Sequence, residues 1–163
     1  MKTFLILFWG IIILSVSCKQ PEAKHDSDRH DSTMHVTGIH SGADSVRDGV
    51  FIHITESYND PHKVLMPLKM ANMMAQDKDV LVYLDIHAVE LVTKTSKDME
   101  FADFEPLKKL IQGLVDKKVG VYACPTCMKI SNIKPEDLME GIQVAQKDKF
   151  FNFTKGRIIT LDY

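Results

Sequence analysis

Between Gly49 and Tyr163, short runs that are apolar on both faces alternate with stretches of helical period. No other feature constrains the fold as much. A strand with two apolar faces needs cover on both, and helices threaded between the strands of a parallel sheet provide it. Strands are expected over residues 49–55, 79–84, 119–122, 142–144 and 157–161. After the first strand, Asn59-Asp60-Pro61 supplies a cap residue and then Pro at the first helical position. The helix it opens presents Val64, Leu65, Leu68, Ala71 and Ala75 inward. Pro67 lies inside it and should kink it. Leu107, Leu110, Ile111, Leu114 and Val115 fit the i, i+3, i+4, i+7, i+8 pattern of a second helix. Residues 135–141 read as one or two helical turns ending at Gly141, and Lys147 to Lys155 as a helix stopped by Gly156. The expectation is one α/β domain over residues 49–163, three layers thick, with a parallel sheet and helices on both faces. The longest connection, from Ile86 to about Asp103, is long enough to be a lid or a plain surface excursion.

The chain opens MKTFLILFWGIIILSVSCKQ. One cation, an apolar run from Phe4 to Leu14 and then small residues form a secretory signal, too short for a membrane span. Leu14-Ser15-Val16-Ser17-Cys18 resembles the bacterial lipoprotein signal, in which the cysteine becomes the lipidated first residue. Ser15 stands where that pattern usually has an aliphatic residue. The resemblance implies a leader over residues 1–17, lipidation at Cys18, and a place in the cell envelope on the periplasmic or extracytoplasmic side. Such a protein is anchored to the membrane without spanning it.

Residues 18–48 are poor in apolar side chains and rich in Asp, Ser, His and Gly, the composition of a disordered tether. His25, His30, His35 and His40 recur every five residues, which matches neither helix nor strand. They are a chance feature of a polar linker or weak ligands for copper, nickel or zinc. Residues 1–17 hold one base and no acid, so from Cys18 onward the chain keeps 19 basic and 22 acidic residues, a net charge of −3. A nucleic-acid partner would need a basic face, and none is expected.

The chemistry-bearing stretch is VGVYACPTCMK, residues 119–129. Cys124 leaves the third strand at its carboxyl end, the edge where ligands bind in open α/β sheets. Thr55, Glu56, Ser57 and Tyr58 reach that edge from the first strand, Asp85 and His87 from the second, and Gln146 and Lys147 from the fourth. His53, inside the first strand, reads as a hydrogen-bonded core residue. Cys124 and Cys127 are a redox pair, a sulfur carrier with its partner, or an inert disulfide, which an exported protein can keep. Thioredoxin chemistry is disfavoured: there the pair opens a long helix after the first strand, whereas here Pro125 argues against a helical start and residues 128–133 lack an amphipathic pattern. A structural zinc wants four ligands, and only Cys124, Cys127 and a histidine such as His87 are on offer, so no cofactor is expected.

The order and spacing of these pieces resemble the DsrE/DsrF-like family of small α/β proteins of sulfur metabolism. The likeness covers roughly residues 50–162. Its most specific parts are VGVYACPTCMK and IKPEDLMEGIQV, supported by Asn59-Asp60-Pro61 and Val82-Tyr83-Leu84-Asp85. The resemblance implies a five-stranded parallel sheet and a homo-oligomer, often a trimer or hexamer. Phe150, Phe151 and Phe153 in one short helix also favour self-association. It further implies that Cys124, at the position where relay members carry a persulfide, is the sulfur-bearing thiol. Cys127 matches a second cysteine found in some members, a candidate to resolve a persulfide by forming a disulfide. His87, if adjacent, would hold Cys124 as thiolate. Two features depart from the family pattern: relay members are cytoplasmic, and Asp85-Ile86-His87 replaces a small or Gly-rich turn. The leading expectation is therefore sulfur or thiol handling through Cys124, Cys127 and His87, with a sulfur-donor or thiol protein as partner. The rivals are a ligand- or protein-binding module with a structural disulfide, and metal handling by the tether.

Overall fold

The computed structural model describes residues 46–163. The leader, Cys18 and the tether histidines His25, His30, His35 and His40 lie outside the described residues. In chain order the elements are β1 (Gly49–Ile54), α1 (Pro61–Met74), β2 (Asp79–Leu84), a 3₁₀ segment (Ala88–Val92) and α2 (Leu107–Asp116). Then come β3 (Gly120–Ala123), α3 (Pro125–Ile130), a 3₁₀ turn (Pro135–Asp137), β4 (Gln143–Val144), α4 (Lys147–Phe151) and β5 (Ile158–Asp162). The five strands form one sheet in the order β4-β3-β2-β1-β5. Every pairing is parallel, as the two-sided apolar strands require.

Alternate residues of a strand point to opposite faces, and the two faces are covered unequally. Val50, Ile52, Ile54, Val80, Val82, Leu84, Val121 and Ala123 share one core with Val64, Leu65 and Leu68 of α1 and Leu107, Leu110, Ile111 and Leu114 of α2. Each fully buried Leu or Ile there contributes about 1.5–3 kcal/mol of transfer free energy. Asn72 ties the two helices, its Nδ2 donating to Leu68 O at 3.0 Å and Leu110 O at 2.9 Å. On the other face stand Phe51, His53, Leu81 and Tyr83, and the helix that reaches them is the five-residue α4. Phe150 meets Phe51 and Tyr83 edge-on, with ring centroids 5.3 and 5.0 Å away. Phe151 remains 66% exposed.

Asp60 caps α1 by accepting from Lys63 N at 3.2 Å, Pro61 opens it, and the helix continues unbroken through Pro67. α4 is shorter than its polar spacing suggests, ending at Phe151 rather than Lys155. Only the first turn of the 135–141 stretch is helical. Gly141 follows at φ +84°, where a Cβ would meet Val115 Cγ1 at 2.4 Å, so glycine is needed to turn into β4. The long connection after Ile86 is no free lid in its first half. Ala88, Val89, Leu91 and Val92 are buried in the main core, Met139 N donates to Val92 O at 2.9 Å, and Thr93 bridges Leu138.

Candidate functional site

β3 brings Cys124 to the carboxyl edge, and Cys124 N still donates to Leu84 O of β2 at 2.9 Å. Contrary to the sequence expectation, a helix begins immediately after it. A residue before proline is pushed to extended backbone, and Cys124 sits at φ −67°, ψ 120°, which is what an N-cap needs. Pro125 takes the first helical position, where its missing N–H costs nothing. Met128 N then closes the first turn onto Cys124 O at 2.9 Å. α3 therefore holds both sulfurs at its start, as unbridged thiols that are each half-buried.

The two thiols differ electrostatically. Partial burial pushes the Cys124 pKa up. Against that, the Tyr83 phenol, the backbone N–H and thiol of Cys127 and the N–H of Thr126 favour the thiolate, and the net direction is down. Among these groups the Tyr83 phenol does most to lower the value. Burial also pushes the Cys127 pKa up. The N–H of Ile86, 3.1 Å from Cys127 Sγ, opposes this, but the charges of Cys124 and Asp85 reinforce it and the net direction is up. Ile86 supplies that N–H from φ 49°, a left-handed conformation that costs a β-branched residue on the order of 1–3 kcal/mol.

A row of polar side chains crosses the sheet beside the thiols. His53 of β1 has Nδ1 3.0 Å from Asp162 Oδ1 of β5 and Nε2 3.0 Å from Asp85 Oδ1, just past β2. The Asp162 contact is a hydrogen bond. The Asp85 contact is at ion-pair distance with poor angles, and those two buried atoms have no other hydrogen-bond partner. The His53 ring stacks on Tyr83 at 5.7 Å and 27°. Burial, Cys124 and the charges of Asp85 and Cys127 all push the Tyr83 pKa up, so it is a neutral donor at physiological pH.

His87 does not join this group. After the turn at Ile86 its side chain lines a separate groove of about 300 Å³ with Ser57, Tyr58, Asn59 and Glu90. The side chain that stands beside Cys124 is Tyr83, inside β2, where strand reading sees only core. The sequence signal for Tyr83 is its parity with Asp85, two residues on and on the same sheet face. Glu56 accepts from Asn59, and Gln146 and Lys147 open α4. A mostly apolar groove of about 390 Å³ flanks α3, lined by Pro125, Met128, Ile133 and Val144 with Lys129 and Lys134 among its polar residues. Among the described residues no three His, Cys, Asp or Glu side chains converge as metal ligands.

A model of the DsrE/DsrF-like family matches residues 48–160, more than half of the chain. No curated protein matches. Among solved structures, the chain is similar to the ychN protein from E. coli, with a TM-score of 0.57 and 17% identity over 70% of this chain and 99% of that one. A protein of unknown function from Methanobacterium thermoautotrophicum, MTH1491, aligns with a TM-score of 0.49 and 19% identity over 69% of this chain and 98% of that one. The first of these likenesses shows a shared fold.

Proposed function

The chain belongs to the DsrE/DsrF-like family, and from that premise we propose that it handles sulfur or thiols through Cys124, with Cys127 as the resolving thiol. One observation carries this reading: two unbridged cysteines stand at the start of one short helix at the carboxyl edge of the sheet, Cys124 as its N-cap and Cys127 in its first turn with its sulfur on the Ile86 N–H. The thiolate is the nucleophile. Cys124 attacks the outer sulfur of a persulfide or polysulfide donor, the donor's S–S bond breaks, the donor leaves as thiolate, and Cys124 becomes a persulfide. Delivery to an acceptor thiolate is the same exchange. In resolution, Cys127 attacks the inner sulfur of that persulfide. The products are a Cys124–Cys127 disulfide and hydrosulfide, the proton coming from the Cys127 thiol.

Inorganic polysulfide and the reduced protein test this directly. Peptide mass spectrometry should find one added sulfur on Cys124 and none on Cys127. A pair that takes up no sulfur and oxidises to a disulfide inert to thiols would replace this reading with that of a binding module.

Export and anchoring through Cys18 belong to the same proposal, and the leader pattern supports them. Among the described residues no helix is long and apolar enough to cross a membrane. Cys18→Ala should release the protein from the membrane fraction or leave it unprocessed. A processed variant that stays membrane-bound would exclude lipidation at Cys18.

A further inference from the structure

The mostly apolar groove along α3 has no part in the exchange described above, yet it begins at Pro125, between the two cysteines. We propose that it takes the organic part of a small persulfide donor, an apolar body ending in a carboxylate, and so presents the donor's sulfur to Cys124 from the side away from Cys127. This inference rests on the reading of Cys124 as the carrier and adds the class of molecule that loads it.

Position carries the first part. Pro125, Met128, Lys129 and Asn132 line the groove, and their spacing of i, i+3, i+4 and i+7 puts them on one face of α3 and its end. With about 3.6 residues per turn, Cys127 falls roughly 150° round the helix from the middle of that face. The sheet order agrees. β3, which leads into α3, lies between β4 and β2. Val144 of β4 lines the groove, whereas Cys127 Sγ lies 3.1 Å from the Ile86 N–H, just past β2. Cys124 stands between these two sides as the N-cap, its O accepting from the N–H of the groove residue Met128 at 2.9 Å.

The lining carries the second part. Pro125, Met128, Ile133 and Val144 offer methylene groups a place out of water. Lys129 and Lys134 supply positive charge, and no acidic residue lines the groove. Among the described residues neither ammonium is paired with a carboxylate. Asp137 accepts instead from the Lys134 backbone N–H, at 2.8 Å. A carboxylate at the polar rim is attracted and an ammonium repelled. The walls are already built, because Ile133 N donates to Met128 O at 2.8 Å and Ala145 N to Ala123 O at 2.9 Å. The volume, about 390 Å³, lies within the range of small-molecule sites. In the transfer, the Cys124 thiolate attacks the outer sulfur of the donor persulfide and the S–S bond breaks. The electron pair stays with the inner sulfur, which leaves as the organic thiolate, and the outer sulfur keeps its proton on Cys124.

Persulfides of mercaptohexanoic acid, hexanethiol and aminohexanethiol test this, with inorganic polysulfide as the donor that needs no groove. In the reduced full-length protein, mass spectrometry follows sulfur arriving on Cys124. The carboxylate-ended donor should load roughly fivefold faster than the amine-ended one, about what one exposed ion pair supplies, and the preference should shrink at high salt. In the double variant Lys129→Gln/Lys134→Gln, the rate from the carboxylate donor divided by the rate from polysulfide should fall by a similar factor. Equal loading from the three organic donors, or a carboxylate preference that survives in the double variant, would overturn the proposal. Organic persulfide that transfers only from a protein would also overturn it and give the groove to a protein segment. Binding is judged apart from sulfur transfer: hexanoate, which carries no sulfur, should shift the Met128 methyl resonance saturably, and hexylamine should not. That shift in a protein that takes up no sulfur would overturn the carrier reading and leave the groove standing. Polysulfide loading without the shift would keep the carrier and overturn the groove.

Discussion

Replacing Cys124 by serine should remove the thiol that alkylates at neutral pH, whereas Cys127→Ser should leave it. The ordinary cysteine pKa is about 8.5, so a free thiol is only slightly ionised at pH 7. Cys124 is drawn below its ordinary value and Cys127 above it, and part of each displacement comes from the other sulfur, so the single variants report what the rest of the site does to each thiol. With both variants reduced, the thiol left in Cys127→Ser, which keeps the Tyr83 phenol and the Thr126 N–H, should react faster at pH 7 than the thiol left in Cys124→Ser, by roughly tenfold for each pKa unit that separates them. The advantage should shrink as pH rises and both thiols ionise. A serine at 127 keeps a hydroxyl that can still donate toward Cys124, so the substitution does not dismantle the nucleophile's surroundings. Equal rates, both following a free model thiol, would leave neither sulfur activated and favour a structural disulfide.

The second large effect is expected at Tyr83. Tyr83→Phe removes the phenol that does most to lower the Cys124 pKa and keeps the ring against Phe150 and His53. Cys124 should then titrate higher, and its neutral-pH alkylation should slow several-fold, up to roughly tenfold for one unit. The rate at high pH, where the thiol is ionised in either protein, should be unchanged. That split separates loss of thiolate stabilisation from a displaced sulfur, which would slow the reaction at every pH. The fold supplies an independent readout. Burial raises the Tyr83 pKa in the native state, so its contribution to stability is present below the ordinary phenol value near pH 10 and is lost as pH rises beyond it. Wild type should therefore lose stability in alkali through this group, and Tyr83→Phe should not.

The sheet is legible in the sequence because its order is written in local pattern. Runs such as DVLVYL, apolar on both faces, allow few environments, and Asp60-Pro61 marks a helix start with two independent signals. The placement of Cys124 at the carboxyl edge follows from the same reasoning. Legibility fails where pattern is too short to carry information. α3 has six residues, fewer than two turns, so periodicity cannot reveal it. Pro125 reads as a helix breaker, although at the first helical position it is a helix opener. His87 reads as a neighbour of the thiols because it follows β2 closely, but a single left-handed residue, Ile86, redirects the chain after it. Tyr83 and His53 are hidden for the opposite reason. Strand interiors look like core in one dimension, and only the register His53↔Tyr83 and His53↔Asp162 sets them side by side.

That register also orders events during folding. β5 pairs with β1, joining residues as far apart as His53 and Asp162, 109 positions along the chain. Closing so long a loop is slow compared with forming α1, α2 and the β1–β2–β3 unit they cover. Removing β5 should therefore leave the cysteines at their sheet edge while depriving His53 Nδ1 of its partner Asp162, so the last strand completes the polar row without building the thiol turn.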